Sequence, residues 1–207
     1  MKPFMKRAGE FWVPDAEEMA LAQIAKGGAQ AHHIPVALKY TAQRRTAVDV
    51  GANVGTWTRP LLALFRTVIA FEPAPDTFEC LDRNCPEAVL HQSGLSNFHG
   101  FATVMADDRY PDGTGSRWLK PSNDGVPLIT LDSLNLSEVD LMKVDVEGME
   151  LRVFMGAVET LKRCKPVLVV EDKPKLRPRH DLEAPWKLLE SLGYALKDTV
   201  GADRIYG

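Results

Sequence analysis

Long apolar runs, patterned cysteines and a strong net charge are absent from this sequence of 207 residues. No segment approaches the about 20 apolar residues of a membrane-spanning helix, and the first residues, MKPFMKRAGEFW, lack the apolar centre of a signal peptide. The three cysteines, Cys80, Cys85 and Cys164, match neither a disulfide framework nor a zinc site. These absences predict a cytoplasmic protein with no membrane partner.

The net charge of −3 provides no overall attraction to nucleic acid, because binding to phosphates depends on an excess of basic residues. The sequence also lacks the Asp/Asn-Pro-Pro-Tyr type of motif that holds an exocyclic base amine, and it has no Pro-Cys nucleophile pair. We therefore do not expect nucleic acid as a partner.

Short apolar segments alternate with helical patterns along most of the chain, whose length suits a single main domain. Several of these segments are apolar throughout, which is typical of parallel strands covered on both faces. The alternation predicts an α/β fold with a doubly wound, mostly parallel seven-stranded sheet and helices on both faces. The strand candidates are residues 47–50, 67–71, 88–91, 140–144, 166–170, 194–197 and 203–206.

Helix candidates lie between the strand candidates, and several begin behind an acidic capping residue. They comprise residues 16–26, a short helix at Asp76, residues 149–163 and residues 182–192. The glycine-rich residues 98–131 interrupt the alternation and predict a hairpin or excursion at the sheet edge. We assign residues 1–44 to an N-terminal helical segment with a candidate lid, and residues 45–207 to the main domain.

The stretch VDVGANVGTWT, residues 48–58, leads from a strand candidate through a glycine turn into a helix. Gly51 can adopt backbone angles closed to other residues, and Gly55 permits close helix packing. Glu72 follows the next strand candidate and can accept hydrogen bonds from both hydroxyls of a ribose. In an open α/β sheet such strand ends bind ligands, so we expect a nucleoside here.

The spacing of this turn argues against a dinucleotide. The dinucleotide fingerprint places glycine where this chain has Asn53, so that backbone can approach a pyrophosphate. Asp49 favours a cationic ligand, and S-adenosylmethionine combines a ribose with positive charge and no phosphate. A dinucleotide oxidoreductase, and a plain strand-turn-helix with solvated acids, remain the alternatives.

The sequence resembles the FkbM-type family of S-adenosylmethionine-dependent methyltransferases, which have a class I, Rossmann-like fold. The similar segments are VDVGANVGTWT, VIAFEPAPDTFECLDRN, GLSNFHG and the long block LITLDSLNLSEVDLMKVDVEGMELRVFMGAVETLKRCKPVLVVE. Together they cover roughly residues 45–171 in the family's order. The resemblance implies that residues 45–207 form a methyltransferase domain.

The resemblance also implies roles for individual residues. The glycine turn would surround the methionine part of the cofactor, Glu72 would hold the ribose, residues 92–95 would lie near the adenine, and Asp145 would face the methyl group. The expected cofactor-binding residues are Asp49, Gly51, Ala52, Asn53, Gly55, Thr56, Glu72, Pro73, Ser93, Gly94 and Asp145.

Acidic residues at two neighbouring strand ends are candidates for the chemistry. Methyl transfer requires an aligned nucleophile and, for a hydroxyl, a route for its proton, for which we assign Asp145 and Glu147 as catalytic. Asp145, Glu171 and Asp172 form a candidate Mg²⁺ site, because this ion prefers oxygen ligands. The alternative is that Glu147 and Glu150 stabilise a helix N-terminus while Glu171 and Asp172 are solvated loop acids. The five histidines are candidate general bases without a supporting motif.

Together these features predict O-methylation of a hydroxyl on a small molecule, sugar or glycan. The basic loop at residues 171–181 could bind an acidic group of that acceptor, and a homo-oligomer is compatible with the sequence. The alternative functions are a nucleic-acid or protein methyltransferase and a non-catalytic S-adenosylmethionine-binding module.

Overall fold

The computed structural model describes residues 5–15, 33–106, 114–172 and 185–207. The helix expected at residues 16–26 and most of the basic loop lie outside the described residues. The strands are β1 (Met5–Ala8), β2 (Phe11–Pro14), β3 (Thr46–Val50), β4 (Thr67–Phe71), β5 (Val89–His91), β6 (Gly94–Leu95), β7 (Gly100–Met105), β8 (Trp118–Ser122), β9 (Val126–Ile129), β10 (Leu141–Val144), β11 (Val167–Glu171), β12 (Leu196–Val200) and β13 (Asp203–Tyr206). The α-helices are α1 (Ile34–Leu38), α2 (Thr58–Leu62), α3 (Pro75–Asn84), α4 (Glu150–Met155), α5 (Val158–Cys164) and α6 (Pro185–Ser191).

The main sheet has seven strands in the order β12-β13-β11-β10-β3-β4-β5, and each of the seven strand candidates overlaps one of them, although the candidate at residues 194–197 overlaps β12 only in its last two residues. The neighbours from β11 to β5 are parallel, whereas β13 runs antiparallel to both β11 and β12. Only Gly201 and Ala202 separate β12 from β13, and so short a connection joins antiparallel strands. The sheet is therefore mixed, and the α/β class is confirmed.

Helices cover both faces of this sheet. Successive side chains of a strand point to opposite faces. Val48 and Val50 pack with α4, α5 and α6, whereas Ala47 packs with α1 and α2. The third helix, α3, lies on the second face, where Leu81 contacts Ala70. The apolar pattern of the strands therefore reflects burial from both sides.

The single helix expected at residues 149–163 is wrong, because the structure divides it into α4 and α5 at Gly156 and Ala157. A Cβ on Gly156 would lie 1.9 Å from the carbonyl oxygen of Ser96. The carbonyl of Gly156 also accepts a hydrogen bond from the backbone N–H of Asp132, at 3.0 Å. The chain bends here because segments distant in sequence pack directly against its backbone.

Residues 98–131 form most of a second sheet, with the order β6-β9-β7-β8. The expected hairpin is present, since β7 and β8 pair antiparallel, and β9 pairs with the other side of β7. Two side chains of this sheet, Leu119 and Leu128, approach Gly94 so closely that a Cβ there would lie within 3 Å of both. The excursion therefore packs against the start of β6, directly after β5 of the main sheet.

The described part of residues 1–44 contains the hairpin β1–β2 and the short helix α1. Asn84 binds this hairpin with its side-chain amide, which accepts from the N–H of Trp12 at 2.7 Å and donates to the carbonyl of Trp12 at 2.8 Å. The same amide donates to the carbonyl of Val54 in the glycine turn, at 2.7 Å. The hairpin is thus connected to the turn, and the domain division at residue 44 stays a prediction. In the part of the chain that the structure describes, no helix is long and apolar enough to cross a membrane.

Candidate active site

A cavity of about 240 Å³ lies at the carboxyl ends of β3, β4 and β10. This is the edge at which ligands of parallel α/β sheets are expected. Every residue of the expected cofactor-binding set except Gly55 lines it, and so do the expected catalytic residues Asp145 and Glu147. Their roles stay predictions, but the structure brings them together around one space.

The glycine turn is held between two neighbouring strands. The N–H groups of Gly51 and Ala52 both donate to the carbonyl of Phe71, at 3.0 Å. Gly51 has a φ of +80°, and a Cβ there would lie 2.0 Å from the carbonyl oxygen of Asp145. Only glycine fits this position, because both the backbone angle and the close approach exclude a side chain.

Gly55 does not line the cavity, unlike the other residues expected to bind the cofactor. It has a φ of +92°, and a Cβ there would lie 2.7 Å from the sulfur of Cys85 and 2.9 Å from a methyl carbon of Leu81. Its role is close packing against α3 and the residue that ends it. The packing of this helix therefore requires glycine at position 55, and its expected role at the cofactor stays a prediction.

Glu72 is buried at the end of β4 and accepts three hydrogen bonds. The donors are the backbone N–H groups of Asn53 at 2.8 Å and Ala74 at 2.9 Å, and the hydroxyl of Thr77 at 2.8 Å. Burial raises the pKa of Glu72 despite these bonds. A carboxylate has about four lone-pair positions, so this arrangement leaves about one for a ligand hydroxyl rather than two.

The second sheet forms an apolar wall of the cavity, through Leu95, Val104, Leu119 and Leu128. Ser93 lies beside this wall, and its buried hydroxyl has no hydrogen-bond partner within the described ranges. An apolar slot with one available hydroxyl suits a flat heterocycle such as adenine. The expectation that residues 92–95 lie near the adenine stays a prediction.

Two polar residues of the excursion, Thr114 and Arg117, also line the cavity, although no sequence motif pointed to them. Thr114 exchanges hydrogen bonds with the side chain of Asn53, at 3.2 and 3.3 Å. Arg117 forms two bonds with the carboxylate of Asp76, at 2.6 and 2.8 Å. The glycine-rich break indicated an excursion, but no local signal showed which element it would contact.

Three carboxylates converge at the other end of the cavity. Ligand atoms of Asp145, Glu147 and Glu171 all lie within 4.8 Å of one another. Asp172, the third member of the expected metal set, does not line the cavity and instead pairs with Arg204 at 2.5 Å. Because successive strand residues face opposite sides, Asp172 points away from Glu171. Glu147, with a φ of +54°, takes its place in the cluster.

A buried lysine lies next to this cluster. Lys143 is 3% exposed, and its Nζ lies 3.1 Å from Oδ2 of Asp145. Burial alone would lower the pKa of Lys143, but the nearby carboxylates of Asp145 and Asp49 raise it. Burial also raises the pKa of Asp49, whose Oδ2 accepts a hydrogen bond from Thr58 at 2.7 Å. This end of the cavity is therefore charged, buried and ion-paired.

The described histidines do not line the cavity. His33 pairs with Asp203 at 2.7 Å, the ring of His91 stacks on Phe71 at 4.8 Å, and His99 lies 3.3 Å from the hydroxyl of Thr130. The other two, at positions 32 and 180, lie outside the described residues. Carboxylates, rather than these three imidazoles, therefore lie at the charged end of the cavity.

Residues 49–196 match the family model of the methyltransferase FkbM domain, which includes the glycine turn, Glu72 and the carboxylate cluster. The chain belongs to the FkbM methyltransferase family. This match confirms the resemblance seen in the sequence. Membership in the family supports the assignment of the chain as an S-adenosylmethionine-dependent methyltransferase.

Individual relatives agree with this family. The chain is 33% identical over 132 residues to the hexuronic acid methyltransferase AglP of Haloferax volcanii, covering 58% of this chain and 53% of that one. It is 28% identical over 187 residues to methyltransferase 1 of Beauveria bassiana, covering 72% of each chain. It thus spans about half of the length of AglP.

Solved structures support the fold. The methyltransferase FkbM of Methylobacillus flagellatus KT is similar with a TM-score of 0.53 and 17% identity, over 80% of this chain and 44% of that one. Magnesium protoporphyrin IX methyltransferase of Synechocystis PCC 6803, solved with bound S-adenosylmethionine, has a TM-score of 0.52 and 14% identity, over 91% and 82%. The FkbM domain of this chain therefore has a methyltransferase-type α/β fold.

Proposed function

We propose that this chain transfers the methyl group of S-adenosylmethionine to a hydroxyl of a small molecule, sugar or glycan. The observation that carries the proposal is the cavity itself. The glycine turn, the carboxylate of Glu72 and the carboxylate cluster all line this one space. A non-catalytic binding module would not require carboxylates at the end where a methyl group would leave.

The cavity residues fit S-adenosylmethionine in their donor and acceptor chemistry. The fully buried Asp49 has one carboxylate oxygen without a hydrogen-bond partner among the described residues, and this oxygen suits a cationic donor. Glu72 keeps capacity for a ribose hydroxyl, and Ser93 offers a hydroxyl beside the apolar wall. The turn lacks the second glycine that would let the backbone approach a pyrophosphate, which favours S-adenosylmethionine over a dinucleotide.

When bound, the cofactor supplies a methyl carbon attached to a positively charged sulfur. The chain's own residues then have two tasks, to orient the acceptor hydroxyl and to accept its proton. We assign both to Asp145 and Glu147, because they line the cavity within one cluster. Glu171, on the neighbouring strand, completes the polar surface that faces the acceptor.

The acceptor class rests on the relatives. AglP is named a hexuronic acid methyltransferase, so we favour a sugar or glycan hydroxyl over other small molecules. The carboxylates of the cluster can accept hydrogen bonds from neighbouring hydroxyls of a sugar ring. A divalent cation such as Mg²⁺ is the competing arrangement, in which Asp145, Glu147 and Glu171 would hold the ion.

Calorimetry tests the cofactor. We expect S-adenosylhomocysteine to bind in the cavity and NADH to show no heat of binding, because the turn is not built for a pyrophosphate. Incubation with labelled S-adenosylmethionine and sugar or glycan fractions, followed by mass spectrometry, should then reveal a product heavier by one methylene. Binding of NADH in place of S-adenosylhomocysteine would contradict the proposal.

A further inference from the structure

Lys143 is a cation built into the carboxylate cluster. Its side chain starts in the middle of β10, next to Asp49 on β3, and Asp145 follows two residues later on the same strand. Residues two apart in a strand face the same side, so the ammonium extends beneath the carboxylate of Asp145. Its Nζ lies 3.1 Å from Oδ2 of Asp145 and 5.4 Å from the ring centre of Trp57.

This ammonium has unused capacity that faces the cavity. A lysine ammonium has three N–H donors, and among the described residues Asp145 is its only hydrogen-bond partner. Lys143 is 3% exposed, yet it contributes to the lining of the cavity. A buried charge with two remaining donors is costly unless a further oxygen completes its surroundings. The arrangement therefore indicates an oxygen ligand at this position.

The same ammonium competes with a divalent ion. A metal bound by Asp145 would lie about 2.0–2.6 Å from a carboxylate oxygen, within a few ångströms of Nζ. Two cations at that separation repel strongly in a buried site. Of the described residues that line the cavity, only Lys143 and Arg117 are basic, and Arg117 is bound to Asp76. Among the described residues that line the cavity, Lys143 is thus the cation paired with the cluster.

We propose that Lys143 is a permanent cation at the place where the methyl acceptor binds, beside Asp145. Its ammonium takes the position of a divalent metal and donates its remaining hydrogen bonds to an oxygen of the methyl acceptor. Its role as an acceptor ligand rests on the proposed methyl transfer, whereas its exclusion of a metal does not. It acts as a positioning residue, because it holds Asp145 and the acceptor oxygen in a fixed relation. The site is then independent of metal.

Titration with Mn²⁺, followed by electron paramagnetic resonance, tests the exclusion of a metal without a known acceptor. The native protein should show no saturable site, whereas Lys143→Met removes the ammonium and leaves three carboxylates within 4.8 Å. We expect this variant to show a saturable Mn²⁺ site, with an affinity at least about tenfold above the nonspecific binding of the native protein. Adding Glu171→Gln to the variant should remove the gain.

Two controls separate this effect from a general change in charge or fold. Lys162→Met removes the same charge from an exposed helix position paired with Glu159 and should leave Mn²⁺ binding unchanged. Lys143→Arg keeps the charge and should also gain no site. If Lys143→Met does not fold, as judged by circular dichroism, the native protein still decides: saturable Mn²⁺ binding that is lost in Asp145→Asn overturns the proposal.

The acceptor role has its own readout. Once a product is detected, EDTA should leave the turnover of the native protein unchanged, and Lys143→Met should lower kcat and acceptor affinity more than the affinity for S-adenosylhomocysteine. Loss of activity in EDTA, restored by Mg²⁺, would overturn the proposal that Lys143 takes the place of a metal. Failure of S-adenosylhomocysteine to bind the native protein would instead overturn the proposed function, whatever the Mn²⁺ result.

Discussion

At the residue scale, Glu72 connects the two parts of the proposed nucleoside site. Its carboxylate accepts hydrogen bonds from Asn53 in the glycine turn and from Ala74 at the start of α3. We expect Glu72→Ala to weaken S-adenosylhomocysteine binding by about 1–3 kcal/mol, because hydrogen bonds to a charged group are lost. Isothermal titration calorimetry measures this change.

A nearby, partly exposed carboxylate provides the control for Glu72. Glu79→Ala removes an acid from the solvent side of α3, where it pairs with Arg83 at 3.3 Å, and should leave affinity unchanged. Thermal unfolding of both variants separates a loss of fold from a loss of binding. An unchanged dissociation constant in Glu72→Ala would show that the ribose assignment is wrong.

At the element scale, the bend between α4 and α5 depends on Gly156. Its missing side chain admits the carbonyl of Ser96, which would lie 1.9 Å from a Cβ. We expect Gly156→Ala to lower the free energy of unfolding by about 1–3 kcal/mol, since a clash with backbone forces the segments apart. Urea denaturation measures the change.

Gly115→Ala is the matched substitution for this test. Its Cβ would meet nothing closer than 4.0 Å, and Gly115 does not have a positive φ. This variant should have the stability of the native protein within about 0.5 kcal/mol. Equal unfolding free energies for the two variants would contradict the packing role of Gly156.

At the scale of the whole molecule, acid should affect the two ends of the sheet differently. Burial raises the pKa of Glu72 and of Asp49 at the cavity. At the opposite end, burial opposes the charge of Asp140, but hydrogen bonds from Arg45 hold its pKa below the ordinary value. On acidification the cavity acids therefore take up protons first, while Asp140 stays ionised.

The sign of each effect follows from the direction of its pKa shift. Glu72 and Asp49 bind protons more readily in the folded state, so stability does not fall as pH drops through their raised pKa values. Asp140 contributes stability that is present above its unfolded pKa, about 4, and is lost as pH falls through its lowered folded pKa. We expect S-adenosylhomocysteine affinity to decline at a higher pH than the melting temperature does.

Calorimetry and thermal unfolding over the same pH series, from about 7 to about 3, check this order. Asp140→Asn should reduce the loss of stability in acid and leave the pH dependence of cofactor binding unchanged. Simultaneous loss of binding and fold in the native protein would contradict the prediction.

Features of the fold that depend on near neighbours in the chain could be predicted from the sequence. The inner strands β3, β4, β10 and β11 follow from mainly apolar runs, and Gly51 and Glu72 stand at strand ends that the same pattern defines. The break at Gly156 could not be predicted in this way, because the helical pattern continues across it and the cause is the distant segment at Ser96.

The sequence by itself thus determined the α/β class, the glycine turn and the strand ends that carry the acids. These features depend on strand propensity and backbone freedom, which act between adjacent residues. Tertiary structure alone decided that Glu147 joins Asp145 and Glu171, that Asp172 turns to Arg204, and that Lys143 reaches the cluster. It also brought the second sheet against the turn. These outcomes depend on strand register and on close packing between segments far apart in the chain, which set where each side chain points.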